Sequence, residues 1–234
     1  MFIDWTYIVL VLPAVIFSLW ASARVNSTFK KHSKQYIRCG MTGYDAARMI
    51  LDANGLRHVQ IERVSGNLTD HYDPRTNVVR LSDSVYSSPT AAAVGVAAHE
   101  CGHAVQHATG YLPIRIRSAI VPITNLGSKL SMPLILLGIL FSFMSEYFIY
   151  VAYFGVACFS LCALFQLVTL PTEYNASRRA IKALEGCYRM SDEEIDGSKK
   201  VLNAAALTYV AALAVSIMQL IRLLMMVRRN DRNR

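Results

Sequence analysis

His99-Glu100-Cys101-Gly102-His103 sets two imidazoles and a carboxylate within five consecutive positions of a 234-residue chain. On a helix, residues four apart share a face. Two histidines so spaced stand about 6 Å apart, which suits two ligands of one tetrahedral zinc ion. Glu100 then points toward the open coordination position, where it could take a proton from zinc-bound water and pass it to a leaving amine. The bland alternative is a helix whose histidines are satisfied by other partners. Context favours chemistry: Cys101 and Gly102 are small, a helix is expected around them, and a strand pair that could flank a cleft precedes them.

A site of this kind needs a third ligand from elsewhere. His107 is one more step of four along the helix, but on a straight helix it lies about 12 Å from His99, too far to share one ion. The longer spacing in which a third histidine follows a turn at glycine is not met, because His107 comes too early. A role beside substrate or behind a ligand is open to it, as is that of an ordinary interior histidine. Glu173, in Leu170-Pro171-Thr172-Glu173-Tyr174-Asn175-Ala176-Ser177-Arg178-Arg179-Ala180, is the other candidate. It would leave a fourth position for water. A solvated carboxylate at a membrane interface is the competing reading, and the residues alone leave the two even.

The elements that must position these groups can be read from pattern. Thr42 to Asn54 has apolar residues at helical spacing, and Gly55 stands where a helix-ending glycine would. His58 to Val64, Leu68 to Tyr72 and Val78 to Leu81 read as short strands. The turn formers Asp73-Pro74-Arg75-Thr76-Asn77 predict a β-hairpin between the last two. Ser88-Pro89-Thr90 offers an N-cap to an alanine-rich helix that runs from Ala91 to His107 and carries the HECGH run.

Hydrophobic residues make up 53% of the chain and charged ones 17%, which points toward a membrane protein. Spans are expected at about 5–23, 130–145, 147–170 and 201–221, the middle two forming a helical hairpin that turns at Ser145-Glu146. The first reads as an uncleaved anchor, since Asp4 rather than a basic residue precedes it. Arg24, Lys30, Lys31, Lys34 and Arg38, with Arg115, Arg117 and Lys129, put residues 24–129 and 172–200 on the cytoplasmic side. Arg228, Arg229, Arg232 and Arg234 then fall outside if the fourth run crosses; the alternative is a last helix lying in the interface. The expected location is the cell membrane, multi-pass, with the site facing the cytoplasm and the lipid bilayer as a partner. The net charge of +8 fits anionic lipid as a partner or simply the cytoplasmic flanks of membrane helices. A nucleic-acid partner is not expected, because no basic stripe interleaved with aromatics occurs. Five cysteines without a CxxC pair argue against both a disulfide framework and a thiolate zinc site, and suggest a reducing compartment.

Four stretches, NLTDHYDPRTNVVRLSDSVY, VAAHECGHAVQHATGY, LFQLVTLPTEYNASRRA and KKVLNAAALTYVAALA, resemble the bacterial membrane zinc metallopeptidases of the YugP type, with spacing kept from the first span to the last. The resemblance implies a gluzincin, related in its site to the HtpX and CAAX-prenyl protease groups. It implies Zn2+ as cofactor, His99, His103 and Glu173 as metal ligands, and Glu100 as catalytic base. One departure stands out: Ser177 occupies the position where the HtpX-like pattern has an acid four residues after the glutamate, and Asn175 stands where Asp is expected in many relatives. Either could hydrogen-bond a ligand imidazole, more weakly than a carboxylate would.

The expected fold is a mainly α membrane protein. It has about four transmembrane helices plus a small α+β cytoplasmic, gluzincin-like portion with a β-hairpin and an HExxH helix, all within one membrane-embedded domain over 1–234. The expected function is that of a zinc-dependent membrane endopeptidase acting on a peptide or membrane-protein substrate at the cytoplasmic face. A non-catalytic zinc-containing scaffold or chaperone is the alternative. Cleavage deep inside the bilayer is disfavoured, since no second acidic ligand motif lies in another span. For the oxyanion, the candidate donors are His71, Tyr72, Tyr174, Arg178 and Arg179. Arg178 and Arg179 rank first, because they sit one to two turns beyond Glu173 and stay charged.

Overall fold

The computed structural model describes residues 4–187 and 189–232. Its elements, in order, are α1 (Leu12–His32, preceded by a π-helical stretch Tyr7–Val11), α2 (Gly43–Ala53), β1 (Gln60–Val64), β2 (His71–Asp73), β3 (Val78–Ser82), α3 (Asp83–Tyr86), α4 (Ala91–Ala108), α5 (Leu112–Leu140), α6 (Phe148–Gly186) and α7 (Asp192–Arg232). The chain divides into two compact units, one made of the described parts of Met1–Trp20, Ile116–Leu170 and Tyr209–Arg234, the other of Ala21–Arg115 and Pro171–Thr208.

The first unit holds most of the apolar helix. The segments Tyr7–His32, Leu112–Phe143, Phe148–Gly186 and Asp192–Arg232 are each long and apolar enough to cross a membrane. α5 starts at Leu112, well before the apolar run expected at 130–145, and it continues through Pro122 and Pro133. A proline costs one backbone hydrogen bond in a helix, and long apolar helices tolerate that loss. The hairpin closes through a 3-10 turn at Phe141–Phe143. Gly138 and Gly155 let α5 and α6 touch through their backbones, since a Cβ on Gly138 would meet Ala152 N at 2.4 Å and one on Gly155 would meet Ser131 O at 2.8 Å. Ile135, Ile149, Ala152, Val156, Leu223 and Val227 form the core of this unit. At the far end of α7, Asn230 donates to Ser142 and Tyr153 donates to Asp231, so the basic C-terminal turn lies at the same end as the hairpin.

The second unit carries the chemistry-bearing residues. Thr42 caps α2 in a reciprocal box with Asp45, and Gly55, at φ +72°, ends the helical run as expected. β2 and β3 form the antiparallel hairpin, while β1 pairs parallel with β3, giving the order β1-β3-β2. The second strand begins at His71 and not Leu68, because Leu68 sits at φ +56°, outside the extended region. β2 is thus a short edge strand. Thr90 caps α4 by accepting from Ala93 N. Alanines at 91–93, 97, 98 and 104 are all buried, which leaves α4 a slim rod at the centre of the core.

Gly102 fixes how α4 meets α6. A Cβ there would lie 2.6 Å from the backbone oxygen of Ala176. Alanine would return about 0.5–1 kcal/mol of helix propensity, but moving a packed backbone costs about 1–3 kcal/mol. The Gly102→Ala variant is therefore expected to unfold more readily by about 1–2 kcal/mol in the balance of these terms, read as a lower denaturant midpoint in detergent. A midpoint at or above that of the parent would mean that the two helices can part freely.

Candidate metal centre

α4 presents His99 and His103 toward α6, which presents Glu173. One ligand atom from each of the three lies within 4.8 Å of the others. Both Nε2 atoms face the same carboxylate oxygen: His99 Nε2 is 3.2 Å and His103 Nε2 3.3 Å from Glu173 Oε2. The two rings stand edge to face, with centroids 4.7 Å apart. His103 and Glu173 are buried and His99 is nearly so. Burial alone would raise the Glu173 carboxyl, but hydrogen bonds from His103 and His99 outweigh it and hold the group well below the usual carboxylate range. Burial likewise lowers His103, while the Glu173 hydrogen bond and the charges of Glu100 and Glu173 raise it, and the net shift is upward. Two imidazoles and a carboxylate that compete for one proton form a centre where a divalent cation can take the proton's place.

The far nitrogens decide whether the rings can act as ligands. His103 Nδ1 lies 3.0 Å from Gln106 Oε1. The Gln106 amide cannot be turned round, because its Nε2 donates to the carbonyl oxygen of Thr172 at 2.8 Å, a group that can only accept. The same Nε2 donates to Asn175 Oδ1 at 3.0 Å. That oxygen also accepts from Arg179 Nε at 2.8 Å, and a guanidinium can only donate. Every link from Arg179 through Asn175 and Gln106 therefore has one permitted direction. It ends on a carbonyl oxygen that keeps the proton on His103 Nδ1 and frees Nε2 for a metal. His99 Nδ1 lies 3.1 Å from Ser177 Oγ, a hydroxyl that orients the other ring and can accept from Nδ1–H or donate to a bare Nδ1.

Asn175 and Ser177, the positions that depart from the acidic pattern, thus contact the two candidate ligand histidines, Ser177 directly and Asn175 through Gln106. Gln106 is a contact that its sequence context does not single out. It is fully buried, and its one signal is a long polar side chain three residues after His103, on the same helical face.

Glu100 follows the candidate ligand His99, is half-buried, and its Oε2 accepts from the backbone N–H of Tyr72 at 3.0 Å. That N–H belongs to edge strand β2, so the strand and the carboxylate share one wall. Asp70, just before β2, is raised by its burial; Ser82 N at 2.7 Å and Ser82 Oγ at 2.9 Å donate to it and moor the start of β2 to the end of β3. His107 stands apart from the three candidate ligands, with its ring against Tyr72 at 5.6 Å. His71 faces the carbonyl oxygen of Thr69. Arg179 is half-buried and lies against the Tyr111 ring. Arg178 is exposed and shares a groove with Tyr174 and Ser177.

Two nitrogens and one carboxylate oxygen, with both rings fixed from behind, fit the donor set of a hydrolytic zinc site that keeps one position open. A sequence profile of the family described as "Putative neutral zinc metallopeptidase" matches residues 7–228. The chain belongs to this family. It is 44% identical over 221 residues to the "Putative membrane protease YugP" of Bacillus subtilis (strain 168), covering 94% of this chain and 95% of that one. No solved structure matches. Together with the four long apolar helices, these likenesses make this neutral zinc metallopeptidase relative a membrane protein.

Proposed function

We propose that the chain is a zinc-dependent membrane endopeptidase that hydrolyses peptide bonds at the cytoplasmic face of the cell membrane. His99, His103 and Glu173 would hold the ion. The observation that carries this reading is the convergence of both Nε2 atoms on the buried Glu173, with each Nδ1 engaged elsewhere. Zinc, when bound, supplies Lewis acidity that lowers the pKa of water and polarises a carbonyl. The chain's own residues do the rest. Glu100 takes the proton of the attacking water and delivers it to the leaving amine. An extended peptide can add to edge strand β2, taking the Tyr72 N–H over from Glu100, and present its scissile bond to the centre. Arg178, beside Ser177, is the candidate donor to the oxyanion, and Arg179 acts on His103 through Asn175 and Gln106.

Arg24, Lys30, Lys31, Lys34 and Arg38 follow the first apolar run and belong to the same compact unit as the site, which supports a cytoplasmic orientation. The basic end of α7, beside the hairpin, runs against that rule and is outnumbered by those flanks. Purified chain is expected to hold about one zinc ion per three-ligand site and to cleave an unfolded protein substrate. Chelation should abolish cleavage, and added zinc should restore it. Undiminished hydrolysis by chain stripped of metal would overturn the proposal, and zinc bound without any hydrolysis would favour a scaffold.

A further inference from the structure

A groove of about 470 Å³ opens between α1, α6 and α7, within the second unit. Its rim carries Arg24 and Lys31 from α1 and Lys200 from α7. Tyr174 from α6 and Asn203 add hydrogen-bonding groups, and Ala204 and Leu207 give it an apolar foot. Among the described residues no carboxylate lines it, and Lys200 pairs with Asp196 at 2.5 Å. The volume falls within the usual span of small-ligand sites, about 300–1,000 Å³.

The position of the groove along its three helices says what it meets. Arg24 is the first charge after the apolar run that ends at Ala23. Lys199 and Lys200 are the last charges before the apolar run that opens at Val201. Tyr174 follows the run that ends at Leu170. All three helices therefore change from apolar to charged at the level of the groove, where a bilayer's headgroups would lie. Basic pockets between membrane helices at this level suit phosphodiester headgroups. The apolar foot favours a lipid, whose glycerol and first methylenes it can cover, over a free anion.

We propose that this groove binds the headgroup of an anionic phospholipid, with its phosphate held by Arg24, Lys31 and Lys200. The site is separate from the metal centre. It rests on the reading that α1, α6 and α7 cross a bilayer, and not on the peptidase reading. The test uses the full chain in a neutral detergent, titrated with phosphatidylglycerol, phosphatidylcholine and inorganic phosphate, with bound species counted by native mass spectrometry. Wild type should retain phosphatidylglycerol over phosphatidylcholine. Lys31→Gln/Lys200→Gln should weaken phosphatidylglycerol about tenfold or more. Lys30→Gln/Lys34→Gln removes the same charge from exposed positions that do not line the groove and should stay within about twofold.

Equal loss in both double variants would reduce the effect to diffuse attraction and overturn the proposal. So would the absence of a preference in wild type, or displacement of the lipid by inorganic phosphate or an acidic peptide at equal concentration. If Lys31→Gln/Lys200→Gln loses helicity, Lys31→Arg/Lys200→Arg must retain the lipid and Arg24→Gln must lose it. Zinc content and hydrolysis of a soluble peptide, read on the same variants, should match wild type, so failure here leaves the peptidase reading standing.

Discussion

Replacing Glu100 by Gln is expected to leave zinc bound and to slow peptide hydrolysis by about 10²–10⁴-fold, the usual contribution of a general base. The amide is nearly isosteric, and none of the three candidate ligands is touched. The fall should appear in kcat, because the proton transfer belongs to the reaction and not to substrate binding. Gln can still face the Tyr72 N–H through its carbonyl oxygen, so the wall between α4 and β2 should keep its shape. Hydrolysis persisting at the parental rate with zinc retained would remove Glu100 from the mechanism. Loss of zinc along with activity would recast it as a structural residue.

Gln106→Leu is expected to weaken zinc binding by about 10–100-fold, the range typical when a partner behind a ligand histidine is lost. Leucine fills a similar volume in a fully buried position, so the cost falls on the His103 Nδ1–H left without an acceptor. Gln106→Glu should not rescue it. Its second oxygen would face Thr172 O and Asn175 Oδ1, both acceptors. Asn175→Asp, by contrast, preserves the oxygen that receives Gln106 and Arg179 and should hold affinity within a few-fold, below the typical loss for a broken link. Competition with a chromophoric chelator reads all three. Parental affinity in Gln106→Leu would show that His103 needs no support.

Spacing made part of this centre legible. His99 and His103 follow from the helical repeat, and Thr90 and the alanine run locate α4. The hairpin was readable from the turn formers between Tyr72 and Val78. Glu173 was not readable from spacing, since 70 positions separate it from His103 (173 − 103); resemblance selected it, and the packing of α6 on α4 brings it to the histidines. Gln106 escaped because its role depends on which side chains α6 brings opposite it, and a helical wheel of α4 alone does not contain Asn175. The parallel pairing of β1 with β3 escaped for the same reason: nothing local in Gln60–Val64 specifies a partner. The early start of α5 was hidden by Arg115, Arg117 and Lys129, which interrupt the apolar run but not the helix.

The contact of Gly102 with Ala176 has a consequence for metal choice as well as for stability. Gly102 immediately precedes the candidate ligand His103, and Ala176 lies three residues past the candidate ligand Glu173. The width of the cage is thus gauged by main chain against main chain, with no side chain interposed to give or swell. Metal sites tolerate departures of about 0.2 Å from ideal bond lengths. A single added methyl at position 102 would act as a shim thicker than that tolerance, opening the cage toward ions with longer bonds. The residue that contributes no side-chain atom is the spacer against which the ligands are calibrated.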